Sequence, residues 1–143
     1  MPAATFIALA IIAFAAAFHI HWAFGGKRGF DVSLPQRPDG TPVMSDRLPL
    51  WRPAAFGVGL ALLGLGLIVI ARARAWDIGL PPILIDYGLI GTGTVFVARA
   101  LVPNRYVGLS KTLRTTRWAR WDTRLYSPLF LILGVALIVV ACG

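Results

Sequence analysis

Cysteine is almost absent from this chain of 143 residues: Cys142 stands alone, next to the end. An intramolecular disulfide and a cysteine-pair redox site are excluded, and with them the thiol-oxidising class of membrane enzyme. Histidine is scarce too, with His19 and His21 the whole supply. Two residues apart on a helix, they point about 200° away from each other and do not jointly hold one metal or haem. A bis-histidine haem would need a second copy of the chain or a non-histidine ligand. No metal site and no cofactor is expected. A soluble domain, a cofactor motif and an identifiable nucleophile–base pair are missing as well. Acidic side chains number 6 against 14 basic ones, so the net charge is +8 and a cationic surface has to be accounted for.

What the chain has in abundance is apolar length. Ala3 to Phe24, Ala54 to Ala71, Leu80 to Val102 and Leu125 to Cys142 include runs such as AFAAAF, ALLGLGLIVIA and LFLILGVALIVVA, apolar on every helical face. A hydrocarbon core of roughly 30 Å takes about 20 residues at the helical rise, so each stretch is long enough to cross it. Backbone amides in hydrocarbon need internal partners, and the alternation of a membrane β-barrel is missing, so each span is expected to be an α-helix. The expected fold is an all-α integral membrane four-helix bundle, a single domain over residues 1–143, with a short outer loop and longer basic inner loops. Met1 to Phe24 lacks the positive first region of a signal peptide and is read as a retained span.

The cations are distributed unevenly. Lys27, Arg28, Arg37, Arg47 and Arg52 lie in the first loop, and Arg105, Lys111, Arg114, Arg117, Arg120 and Arg124 in the third. The second loop offers only Arg72 and Arg74, and the segments outside the outermost spans carry no charged side chain. This asymmetry predicts that the long loops face the cytoplasm and both termini face away from it. Anionic head groups of the inner leaflet, at about 1 kcal/mol per nearby basic residue, account for the charge; no basic stripe elsewhere points to nucleic acid.

Prolines and glycines break the first loop into an irregular flap, which ends in RLPLWRPA with Pro53 expected at the first helical position of the second span. Trp22, Trp51, Trp76, Trp118 and Trp121 fall at span ends, as an aromatic belt would. The third loop, through KTLRTTRWARWDTRLYSPL, has no clean amphipathic face. A short helix or turn at the inner interface is expected there, with Arg117 and Arg120 beside Trp118 and Trp121 for cation–π stacking or head-group contact. Asp122 or Ser127 would then cap the fourth helix, with Pro128 in its first turn. In the second and third spans Gly57 with Ala61, and Gly88 with Thr92, fit the spacing at which helices approach closely, so these faces are expected to meet each other or a second copy.

Two ionisable residues sit within the third span. Arg99 is near the inner end and can reach the interface, whereas Asp86 is short and lies level with Arg72 and Arg74, its expected partners, near the outer side. A functional carboxylate in a cavity and a simply protonated carboxyl are the alternatives for Asp86. The two cannot pair with each other, being about 20 Å apart along one helix axis.

HWAFGG (His21 to Gly26), PLWRP (Pro49 to Pro53), Arg99-Ala100, Val107-Gly108 with Lys111, and above all WARWDTRLYSPL (Trp118 to Leu129) resemble an uncharacterised family of small four-span bacterial membrane proteins, which more often has an aromatic such as Phe at the place of Trp118. The resemblance covers nearly the whole chain and implies a bacterial inner-membrane protein with no activity to carry over. Its motif residues share a depth: His21, Trp51, Arg99, Arg117, Asp122 and Tyr126, with Trp22, all belong to inner ends of spans or adjoining loops. One polar site at the inner face is therefore expected, either an Arg99–Asp122 ion pair locking the third loop or a head group or small anion held by Arg99, Arg117 and His21.

The function expected first is an accessory, assembly or lipid-interacting subunit without catalytic machinery, alone, as a homo-oligomer or in a larger membrane complex. The alternatives are a membrane-embedded enzyme on a lipid-like substrate, using His21 with Asp122 or Asp86 as acid and base, and a small oligomeric transporter using Asp86 and Arg99.

Overall fold

A computed structural model describes residues 1–143, the side chains of 46–48 apart. Helices α1 (Ala3–Ala23), α2 (Trp51–Arg74), α3 (Pro82–Leu101) and α4 (Arg117–Cys142) are each long and apolar enough to cross a membrane, which makes this a multi-pass membrane protein. Large apolar side chains, among them Phe6, Leu67, Leu84 and Val95, cover their outer faces. In water such a surface would be a liability; in hydrocarbon it is the matching one.

The helices form two hairpins. α1 packs along α2 and α3 along α4, and the hairpins join mainly through α1 against α4, while α2 and α3 touch only sparingly. The closest backbone approach is Gly93 to Gly134: a methyl group on Gly93 would sit 2.6 Å from the Gly134 carbonyl oxygen, so both positions exclude a side chain. Gly59 and Gly66 of α2 face Ile20 and Ile12 of α1. Of the two partners expected for the Gly57 and Gly88 faces, each other or a second copy, the first is excluded, because both glycines open onto space free of protein atoms within 4 Å. Hairpin pairing, which small-residue spacing does not encode, decides which glycines are used.

Ala8, Ile12, Val69, Ile85, Leu89, Leu133, Leu137 and Val140 form the core. It occupies one half of the bundle, toward the face where both termini and the short 75–81 turn lie. The opposite half, toward the face carrying the flap (24–50) and the third loop (102–116), holds a cavity of about 440 Å³ between the hairpins, walled by Phe14, Phe18, Leu62, Phe96 and Leu129 and reached by Arg28 and Gly29 of the flap.

Helix ends follow local chemistry. α1 closes with Gly25 at φ 87°, where the Gly25 and Gly26 amides donate to the carbonyls of Trp22 and His21, each at 2.9 Å. This is the glycine-terminated stop that satisfies otherwise orphaned carbonyls. The FGG of the flap is thus read out as geometry. Pro82 opens α3 at a position where a missing amide costs nothing. Pro53, by contrast, is two residues inside α2, which begins at Trp51. Within the flap, Phe30–Val32 and Ser45–Leu50 make short 3-10 turns and no α-helix, and Asp39, bonded by the Thr41 hydroxyl and amide, has its carboxyl held below the usual range.

The largest departure is in α4. The segment expected to be a separate short helix or turn at the interface is helical, but it is the helix's own beginning: Thr116 caps it, its side chain accepting from the Ala119 amide at 3.1 Å, and the helix runs on through a π-turn, Asp122–Tyr126, into Ser127–Cys142. Neither Asp122 nor Ser127 is a cap. Arg117 and Arg120 do not stack on the tryptophans; Arg117 pairs with Asp31 at 2.7 Å and Arg120 donates to the Thr115 carbonyl. Nor is Trp118 an interfacial anchor, since it is buried, stacks on Tyr126 and donates its indole N–H to the Tyr106 carbonyl at 2.8 Å.

Candidate functional site

The π-turn builds the polar centre of the molecule. In an ordinary α-helix, residues five apart stand about 140° away from each other. In a turn closed from i to i+5 they come nearly into line. Asp122 and Ser127 are five apart, and the Ser127 hydroxyl donates to Asp122 Oδ2 at 3.1 Å. The extra residue in the turn places both side chains on the α3 side, where Arg99 arrives.

Asp122 is fully buried and accepts from four donors. Arg99 Nη2 reaches Oδ1 at 2.6 Å; Lys111 Nζ at 2.9 Å, the Gly108 amide at 2.9 Å and the Ser127 hydroxyl converge on Oδ2. Lys111, equally buried, gives its remaining protons to the Gly108 carbonyl at 3.0 Å and the Thr123 hydroxyl at 2.6 Å. Arg99 also donates to Ser127 at 2.9 Å and lies 4.4 Å above the Phe130 ring. Gly108, at φ 90° and hard against the Arg99 and Ala100 carbonyls, is where the third loop turns back under α3; a side chain there would be strained and crowded. A buried ion is tolerable only when its remaining lone pairs and protons are satisfied, and here they are. Chemically the cluster is a clasp: two cations and one carboxylate fixing the third loop to α3 and α4, with little capacity left for proton transfer.

The residues expected to gather at one inner-face site fall into two groups. Arg99 and Asp122 meet, with Tyr126 one helical turn on. His21 and Trp51 belong to the flap side: the His21 ring lies flat on Gly26, leaving no room there for even a methyl group, and Trp51 packs on Phe30 at 4.4 Å between ring centres. Arg117 is at the surface with Asp31, which, together with the Gln36 side chain accepting from the Trp118 amide at 3.1 Å, ties flap to α4. His19 bonds the Ala15 carbonyl within its own helix at 2.8 Å and meets Trp22 edge-on. Asp86 is at the other face, bonded to Arg72 Nε at 2.5 Å, while Arg72 Nη2 donates to the Ala141 carbonyl at 3.1 Å. Among the described residues no group of three or more metal-binding side chains converges.

Lys111 as a member of the Asp122 cluster, and Gly108 with it, escaped the sequence reading. Their presence in the motif Val107-Gly108 with Lys111 was the available signal; a lysine in a basic loop is otherwise indistinguishable from its solvated neighbours.

The family described as "Protein of unknown function (DUF3995)" matches residues 11–137, a stretch that includes the flap, the clasp, the second and third helices whole and most of the first and last. Curated proteins and solved structures give no match.

Proposed function

Since the chain belongs to the DUF3995 family of proteins of unknown function, we propose from its own geometry that it is a non-catalytic accessory, assembly or lipid-interacting subunit of the bacterial inner membrane. The observation that carries this reading is the saturation of the Asp122 cluster: the most buried titratable groups spend their hydrogen-bonding capacity on each other. A general acid or base needs a free position within reach of substrate, and a buried carboxylate whose oxygens already accept from four donors offers none. Asp86 and Arg99 likewise each have a partner, at opposite faces, so a transport path through both would have to open two ion pairs.

In the proposed orientation the flap and the third loop face the cytoplasm, where Lys27, Arg28, Arg105 and their neighbours attract anionic head groups, and both termini lie outside. The outward-facing Gly57, Gly64, Gly88 and Gly91 leave room for a second copy or a partner helix. The test is single substitution of Asp122 and His21 with the amount of folded protein in detergent as readout. A subunit whose polar centre is structural loses folded protein with Asp122→Asn. Unchanged yield and stability would remove the reading. A reporter enzyme active only outside the cytoplasm, fused after Gly143, tests the orientation and should be active.

A further inference from the structure

We infer that the cavity between the two hairpins is a binding site for a single-chain anionic amphiphile, its hydrocarbon tail inside the bundle and its head group beneath the flap. The cavity measures about 440 Å³ and its wall is almost wholly carbon, contributed by all four helices. Water does not fill such a space, because an internal water needs two to four polar partners. Nor do its own side chains close it, since Phe14, Phe18, Phe96 and Phe130 already line it and leave it open. Left empty, a cleft of this size forfeits dispersion contacts along its lining. Hydrocarbon is the filling that restores them.

The cavity has two unlike ends. Toward the termini it stops at Leu133, part of the sealed core of the bundle. Toward the loop face its lining includes Tyr126 and Arg28, the latter an exposed cation of the flap. One closed apolar end and one cationic mouth match a molecule with a single tail and a negative head. A two-chain phospholipid would have to leave its second tail outside, in the gap between α2 and α3, and a neutral head group would make no charged contact with the exposed Arg28. The tail has a lateral way in, because α2 and α3 are joined near the termini by Arg72 and Asp86 and touch little elsewhere. Over the mouth lies the flap, with Val32 buried and Asp31 paired to Arg117 at the surface. The inference rests on the functional reading above only in placing the mouth at the inner leaflet.

Trp22 and Trp121 line the cavity and report on it. In nanodiscs of zwitterionic lipid, the whole protein titrated with dibrominated stearate should show tryptophan quenching that saturates at one probe per chain. Its methyl ester should bind about tenfold more weakly, the equivalent of one charge-assisted contact. Ala15→Phe, or Val58→Phe on the neighbouring helix should the first not fold, fills the space and should weaken binding by about tenfold or more. Quenching that never saturates, that survives a folded filling variant, that is equal for acid and ester, or that a dibrominated two-chain phospholipid reproduces at equal affinity, overturns the site. Such a result with Asp122→Asn still destabilising leaves the accessory reading standing; a normal Asp122→Asn protein with saturable quenching does the reverse.

Discussion

Two carboxylates, Asp86 and Asp122, sit at membrane depth in opposite halves of the bundle and each meets an arginine, yet their surroundings differ sharply. Asp86 has Arg72 as its charged partner, and the two side chains are 31% and 28% exposed. Asp122 is 0% exposed and needs two cations, an amide and a hydroxyl. A charge at the edge shares its field with the interface, whereas a charge in the interior must be surrounded by donors or not be there at all. The architecture follows: the Asp86 pair ties one hairpin to the other, and the Asp122 clasp ties the second hairpin to its own loop.

Asp122→Asn strands Arg99 and Lys111 without a counter-charge, and the expected loss is about 3–5 kcal/mol, measured by unfolding in detergent. If stranded cations are the cause, Lys111→Met in the Asp122→Asn background should recover part of that loss; no recovery would mean that the carboxylate matters for its shape alone. In the wild-type background Lys111→Met leaves Asp122 with Arg99, the Gly108 amide and Ser127, so the cost should be smaller, about 1–3 kcal/mol. For the edge pair, Asp86→Asn and Arg72→Gln should each cost about 1 kcal/mol, with a double-mutant cycle assigning most of it to their coupling. An Asp86 effect equal to that of Asp122 would erase the distinction between the two halves. Smallest of all, Asp31→Asn at the exposed pair with Arg117 should cost less than about 0.5 kcal/mol and fade as salt is raised.

The four spans were legible because hydrocarbon imposes a length and a composition that no loop imitates. Charge depth made the partners of Asp86 and Asp122 legible too, since an arginine at matching depth on a neighbouring helix is the obvious neutraliser. What was hidden depends on turn geometry. A π-turn leaves no composition mark, so the stretch before Leu125 reads as a separate short helix or turn although it is continuous with the last span from Arg117. Depth likewise places His21 and Trp51 alongside Arg99 and Asp122, but it says nothing about azimuth. The first pair belongs to the flap and the second to the clasp, a separation that only the pairing of hairpins determines.

The way α3 is neutralised bears on how the protein is made. α3 is the least apolar of the four spans and carries both Asp86 and Arg99, whose counter-charges come from α2 before it and α4 after it. Released alone from the translocon into lipid, it would bring two unmatched charges with it, a burden of about 5 to 7 kcal/mol at the helix centre and less at their positions near its two ends. The expected consequence is cooperative integration: both charges of α3 are matched only when α2 lies alongside and Asp122 of the last helix has arrived.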